Sequence, residues 1–267
     1  MLKDKLKDFT IIDTHLHFGY LSGLNVSEEP DEAILNLFKR YGIKKAIFSH
    51  HCAISSLDYG IERTLAMLKK HEGFLYAYLV FNPNHPVKSL EVIKEYASHK
   101  QIAGVKIHPS WHMCYPDDAK YKKFWEYADA NETVVLTHSW NPNVSNKAQK
   151  FSDPVFFEKI ARNHPGLKII LAHAGGRGEY LYKVIDLIEK NPNLYADFAG
   201  DIFEPYLVSE YVKRIGSGKL LFGTDLPWID LRYYLSNILN AEITDKDRQN
   251  IFGLNAFTLF NKIKKLN

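Results

Sequence analysis

Eight times along 267 residues a short apolar run precedes a longer stretch with apolar residues at helical spacing, and this alternation restricts the fold more than any other feature. Strands are predicted at 11–17, 45–50, 74–81, 102–108, 133–138, 168–173, 194–198 and 219–225. Helices are predicted at 31–41, 58–71, 87–99, 118–131, 153–164 and 179–191, then a less regular helical region before the last strand, and closing helices at 231–239 and 245–263. Gly42 and Gly73 follow the first two helices and mark their ends. A polar segment, 19–30, separates the first strand from the first helix. Such alternation implies parallel strands joined by right-handed helical crossovers. About eight units in a chain of this length favour a closed (β/α)8 barrel, the TIM barrel of the α/β class, over an open doubly wound sheet. No Gly-x-Gly-x-x-Gly follows the first strand, which argues against a dinucleotide fold. No linker, low-complexity tract or charge run divides the chain, so residues 1–267 are expected to form a single barrel domain.

Hydrophobic residues at 46% and charged residues at 24% suit a substantial core. The 34 basic and 31 acidic residues leave +3, too even a balance to suggest nucleic acid as a partner. Cys52 and Cys114 cannot build a disulfide framework, which fits a reducing compartment. The charged N-terminus lacks an apolar signal core, and no apolar run approaches the length of a bilayer span. A cytoplasmic protein without a membrane partner is expected.

In a barrel of this kind the reacting groups sit at the carboxyl ends of the strands. The first strand, Ile11-Ile12-Asp13-Thr14-His15-Leu16-His17, ends in two histidines one residue apart. Alternation along a strand makes His15 and His17 project the same way with Asp13 one step behind, where a carboxylate can fix the tautomer of a ligating ring. The second strand ends in His50, the fourth in Lys106 and His108, the fifth in His138, the sixth in His173 and the eighth in Asp225. Singly, His138 or His173 could bond a loop carbonyl, and Asp225 could cap the next helix. Histidine at five strand ends is hard to attribute to packing, because each ring would need a polar partner in an apolar core. Together they predict a metal site at the mouth of the barrel.

The segments Asp13-Thr14-His15-Leu16-His17, Gly104-Val105-Lys106-Ile107-His108-Pro109, the strand-terminal His138 and His173, and Gly223-Thr224-Asp225-Leu226-Pro227 resemble the amidohydrolase superfamily, in particular its amidohydrolase-2 branch. The closing run from Asp245 to Phe260 resembles it too. That resemblance implies that His15, His17, His138 and Asp225 hold one divalent ion, with zinc expected first, and that a bound water is activated there. Asp225 would act as general base and then acid, and His173 would bind a second ion or stabilise an oxyanion. Lys106 has two readings. Carboxylated by carbon dioxide it would bridge two metals, whereas as an ammonium it would bind a substrate carboxylate.

Around the mouth, Arg177, His108, Trp111 and Trp140 are the expected substrate-binding residues, with His50, His112, Asn141 and Trp228 as further loop candidates. Arg177 is the one chosen for a carboxylate. The leading expectation is a metal-dependent hydrolase that cleaves an amide, lactone or ester bond of a small molecule. The alternative is a metal-dependent decarboxylase of a small aromatic or unsaturated acid, in which His173 handles protons. A barrel that only binds a ligand predicts an incomplete ligand set, whereas all the strand-end candidates are present. A homo-oligomer is left open.

Overall fold

The structure, a computed structural model, describes residues 2–19, 30–260 and 263. Most of the polar segment read at 19–30, and residues 261 and 262 of the last predicted helix, lie outside the described residues. Eight parallel strands form one sheet in sequence order: β1 (Ile11–Phe18), β2 (Ile43–His50), β3 (Leu75–Val80), β4 (Ile102–Ile107), β5 (Val134–Thr137), β6 (Lys168–Leu171), β7 (Leu194–Asp197) and β8 (Leu220–Leu221). Hydrogen bonds from Thr14 N to Phe222 O at 2.9 Å and from Thr224 N to His15 O at 3.0 Å join the segment around β8 to β1 and complete the TIM barrel.

One principal helix follows each strand: α1 (Pro30–Tyr41), α2 (Leu57–Lys70), α3 (Pro86–Tyr96), α4 (Lys122–Ala130), α5 (Phe156–Asn163), α6 (Glu179–Lys190), α7 (Leu207–Ile215) and α8 (Leu231–Asn240). Each buries one stripe. In α6, Leu181, Val184, Ile185 and Ile188 recur at helical spacing and are buried against the barrel. None of the helices among the described residues is long and apolar enough to cross a membrane.

Two apolar layers result. Residues such as Phe48, Val105, Ile169 and Phe222 face the helices, while Ile12, Ile47, Tyr78, Leu136, Ile170 and Leu221 fill the barrel. Phe260 and Ile263 belong to the inner layer. The predicted helix 245–263 is three pieces, an α-helical turn at Asp245–Gln249, a π-helical turn at Asn250–Leu254 and a last α-helical turn at Asn255–Leu259.

Strict alternation fails in β1. Asp13 pairs with Ala46 and Leu16 with Phe48, so two residues, Thr14 and His15, stand opposite Ile47 alone. This β-bulge resets the parity, and both His15 and His17 turn into the barrel although Ile12 also faces inward. Asp13 is thereby placed on the opposite parity from the two histidines, which corrects the expectation that all three share a face.

Candidate functional site

At the carboxyl ends of the strands lies a cavity of about 600 Å³ whose lining includes His17, Lys106, His108, His138, His173 and Asp225. Its floor is set by β1 and the turn after β8. Asp225 Oδ1 lies 3.1 Å from His17 Nε2 and 3.5 Å from His15 Nε2. The far nitrogens are already committed: His15 Nδ1 is 2.9 Å from Asp197 Oδ2, and His17 Nδ1 is within 3.1 Å of both the carbonyl and the hydroxyl of Ser49. Both Nε2 atoms therefore face the carboxylate. His15, His17 and Asp225 form one group of three ligand atoms within 4.8 Å of one another, and His15, His173 and Asp197 form a second.

Asp13 is not the partner of either ring. Its Oδ1 accepts from the His15 backbone N at 3.1 Å and its Oδ2 from Thr224 Oγ1 at 2.6 Å, so it ties β1 to the β8 end. Asp197, at the end of β7, takes the role foreseen for it. Beyond the His15 ring, its Oδ1 accepts from the backbone N of His173 at 2.9 Å and of Ala199 at 3.1 Å. The rule that singled out the other strand ends, applied to Leu194–Asp197, would have found this residue.

His173 does not end a strand, because β6 stops at Leu171 and His173 and Ala174 take φ of 60° and 47°. Two glycines with positive φ, Gly175 and Gly176, complete the turn. The His173 Nδ1 is 2.9 Å from the Ala199 carbonyl, and its Nε2 is 3.1 Å from His138 Nδ1. Gly200 permits this, since a Cβ there would come within 2.4 Å of His173 Nδ1. His138 stands one residue beyond β5. Its other nitrogen meets Gln149 Oε1 at 3.0 Å, so both ring nitrogens are engaged away from the group formed by His15, His17 and Asp225. The four-residue ligand set expected for one ion is thus brought together in three of its members.

Lys106 is buried, with Nζ 3.2 Å from His15 Nε2. Burial pulls its amine down to about 8 against the attraction of Asp225 and Asp197. Burial also pushes the Asp225 carboxyl up to about 6, opposed by His173 and Lys106, and holds His17, His138 and His173 down at about 3, so the imidazoles stand neutral.

The wall is aromatic. His108 stacks on His138 with centroids 4.2 Å apart, Trp140 lies parallel to His138 at 5.9 Å, and Trp111 stands edge-on to His108 at 6.2 Å. Trp111, Trp140, Trp228 and Arg177 all line the cavity. His50 does not; its Nδ1 accepts from Cys52 N at 3.3 Å at the start of a short helix. His51 lines the cavity instead, stacked on His17 at 4.6 Å. His112 turns away to the Ile54 carbonyl at 2.8 Å, and Asn141 supports the Arg177 carbonyl at 2.8 Å. Gln149, Asn146 and Asp201 also line the cavity and carry no sequence signal of their own, because they sit in loops whose direction only the fold decides.

The amidohydrolase family model Amidohydro_2 matches residues 12–262. The chain belongs to this amidohydrolase family. Among curated proteins, this chain is 25% identical over 189 residues to a gamma-resorcylate decarboxylase from Polaromonas sp., covering 55% of this chain and 56% of that protein. The chain thus spans about half the length of that curated relative. Its fold matches the crystal structure of 2,6-dihydroxybenzoate decarboxylase from Rhizobium with a TM-score of 0.73 at 17% identity, over 95% of this chain and 99% of that one. A 5-carboxyvanillate decarboxylase from Novosphingobium aromaticivorans, complexed with manganese and 4-hydroxy-3-methoxy-5-nitrobenzoic acid, matches with a TM-score of 0.75 at 14% identity, over 95% and 96% of the two chains. These relatives overturn the leading expectation of amide, lactone or ester hydrolysis. The matched curated protein is a decarboxylase, and decarboxylases share the fold, so the alternative reading accounts for the relatives where hydrolysis does not.

Proposed function

We propose that this amidohydrolase-family enzyme is a metal-dependent decarboxylase of a small hydroxylated aromatic acid. The observation that carries the reading is the floor of the cavity, where His15 Nε2, His17 Nε2 and Asp225 Oδ1 converge beneath aromatic walls. The donor chemistry fits a divalent cation, because each imidazole already has its second nitrogen hydrogen-bonded and so presents the other as a lone pair. His15, His17 and Asp225 would hold the ion. Two imidazoles with one carboxylate suit zinc, as expected from the sequence, and equally manganese, which the Novosphingobium relative's structure contains. When bound, the ion supplies a positive charge that draws an acid and its neighbouring phenolic oxygen to the floor.

The chain's own residues supply the rest. Lys106, beside His15 in the lining of the cavity, would meet the anionic end of a ligand as an ammonium. His108, Trp140 and Trp111 line the cavity and give a flat ring an aromatic wall to pack against. Asp225 carries a proton to the ring carbon that bears the carboxylate. The carbon–carbon bond then breaks, its electron pair stays with the ring, and carbon dioxide leaves. His173, held by Ala199 and Asp197, stands beside His138 to relay the replacement proton from solvent.

The test is incubation of the manganese-loaded protein with 2,6-dihydroxybenzoate and related hydroxybenzoates in heavy water. The expected result is carbon dioxide together with a phenol carrying one deuterium at the carbon that lost the carboxyl group. Asp225→Asn should keep the fold and lose at least about a hundredfold in rate. No carbon dioxide from any hydroxybenzoate, or near-normal turnover by that variant, would overturn the reading.

A further inference from the structure

Gln149 stands in the cavity wall with its amide against His138, and a run of contacts from there to Ala199 decides which way the amide and both rings point. His173 Nδ1 lies 2.9 Å from the Ala199 carbonyl, which can only accept, so His173 carries its proton on Nδ1 and presents Nε2 as a lone pair. His138 Nδ1, 3.1 Å from that Nε2, must then be the donor. Desolvation keeps both rings neutral, so a proton on His138 Nδ1 leaves Nε2 without one. That lone pair needs a donor, and the Gln149 amide, 3.0 Å away, can donate only through its NH2 group. The two ends of the amide have nearly the same shape, and hydrogen bonding requires the nitrogen in the position beside the ring. The chain therefore runs one way, from Gln149 to His138 to His173 to Ala199. The opposite order fails at its last link, where a lone pair on His173 Nδ1 would face a carbonyl oxygen.

Gln149 is built into place. It lies in the 3-10 turn Lys147–Ser152, where the Asn146 side chain accepts from Ala148 N at 3.1 Å and the Asn146 carbonyl from Gln149 N at 3.0 Å. At the far end Ser152 is buried, its carbonyl accepting from Trp140 N at 2.9 Å and its hydroxyl from Ser110 N at 3.0 Å. The turn is thus pinned to Trp140, in the same stretch of backbone that carries His138.

We infer that Gln149 is a positioning residue of the proton relay, holding His138 as the tautomer whose Nδ1–H faces His173. This rests on the reading that His173 passes on the replacement proton. With this polarity a proton from solvent forms an N–H bond at His138 Nε2 as the N–H bond at Nδ1 breaks and its proton goes to His173 Nε2, leaving His138 neutral. A partner that can only accept reverses the order, drawing the His138 proton to Nε2 and setting the lone pairs of His138 Nδ1 and His173 Nε2 against each other. Gln149→Glu is therefore worse than Gln149→Met, which offers no partner at all. A merely structural hydrogen bond to the ring predicts the reverse ranking, because a carboxylate could still make one.

Nitrogen NMR of zinc-loaded protein with labelled histidines, the His138 signals being assigned by their loss in His138→Asn, reads the tautomer directly. His138 is expected to show a protonated Nδ1 and a bare, metal-free Nε2 in the unmutated protein and in Gln149→Met, and to lose that pattern in Gln149→Glu. With manganese-loaded protein and 2,6-dihydroxybenzoate, Gln149→Met should lower kcat by about three- to tenfold and Gln149→Glu by at least about a hundredfold, with KM within about twofold in both. A proton or a zinc ion on His138 Nε2 of the unmutated protein, an unchanged His138 pattern in Gln149→Glu, or a Gln149→Glu enzyme as fast as Gln149→Met overturns the inference. The expected spectra without carbon dioxide release support it and refute decarboxylation; carbon dioxide release with His138 protonated on Nε2 refutes this inference alone.

Discussion

His15 works through both ring nitrogens, one held by Asp197 and the other turned toward Asp225. A buried carboxylate on Nδ1 keeps the proton there and leaves Nε2 as a lone pair, which is what a cation needs. Asp197→Asn preserves shape but loses the charge. Its affinity for manganese, read by competition with a chelating indicator, should fall by about ten- to a hundredfold while the fold is kept. Unchanged affinity would leave Asp197 with the backbone of His173 and Ala199 as its only task. His15, His17 and Asp225 were legible because their residue types are rare at strand ends. His51, Gln149 and Asp201 were not, because nothing in a polar loop says which of two neighbours, such as His50 and His51, turns inward.

Among the elements, those with strong periodicity end where the pattern ends, within a few residues, as α1, α2 and α6 do. The breaks occur where backbone geometry departs from the regular. β6 stops two residues short of His173, β8 is confined to Leu220–Leu221, and Asp225 has φ 57°. These irregular ends lift His173 and Asp225 out of the ladder and into the cavity. Inside β4, Gly104 keeps that strand close to β5; a Cβ there would lie 2.3 Å from the Val134 carbonyl oxygen. Gly104→Ala should cost about 1–3 kcal/mol in urea unfolding, as overpacking does. At Gly218 a Cβ meets nothing within 4 Å, and Gly218→Ala should change stability by less than about 0.5 kcal/mol. Equal effects of the two substitutions would contradict this account of β4.

At the scale of the molecule, the barrel concentrates neutral imidazoles and gives the metal-free protein a characteristic pH dependence. His17, His51, His138 and His173 are held at about 3 and His50 at about 4, chiefly by burial. Unfolding releases each to about 6.5, so below that pH the unfolded chain binds protons first and stability falls as the pH falls. Asp13 and Asp225, raised to about 8 and about 6 by burial, act in the opposite sense, gaining stability as the pH falls through those values. Between pH 8 and 6.5 the carboxyls act alone; below 6.5 the five histidines outweigh them. The thermal midpoint of chelator-treated protein should therefore peak at about pH 6–7 and drop steeply toward pH 4.5. A midpoint that stays level down to pH 5 would show that the rings are not buried as neutral groups.

The amino-acid sequence alone determined the alternation of strands and helices, hence a parallel barrel, and the placing of histidines and Asp225 near one end of it, because periodicity and strand-end chemistry are local properties. Only the tertiary structure decided which atoms meet. The bulge at Thr14 and His15 exists because β1 must pair with β2 and with the segment around β8 at once, and the grip of Asp197 on His15 joins residues 182 apart along the chain. Such contacts are set by closure of the ring, and no stretch of sequence contains them.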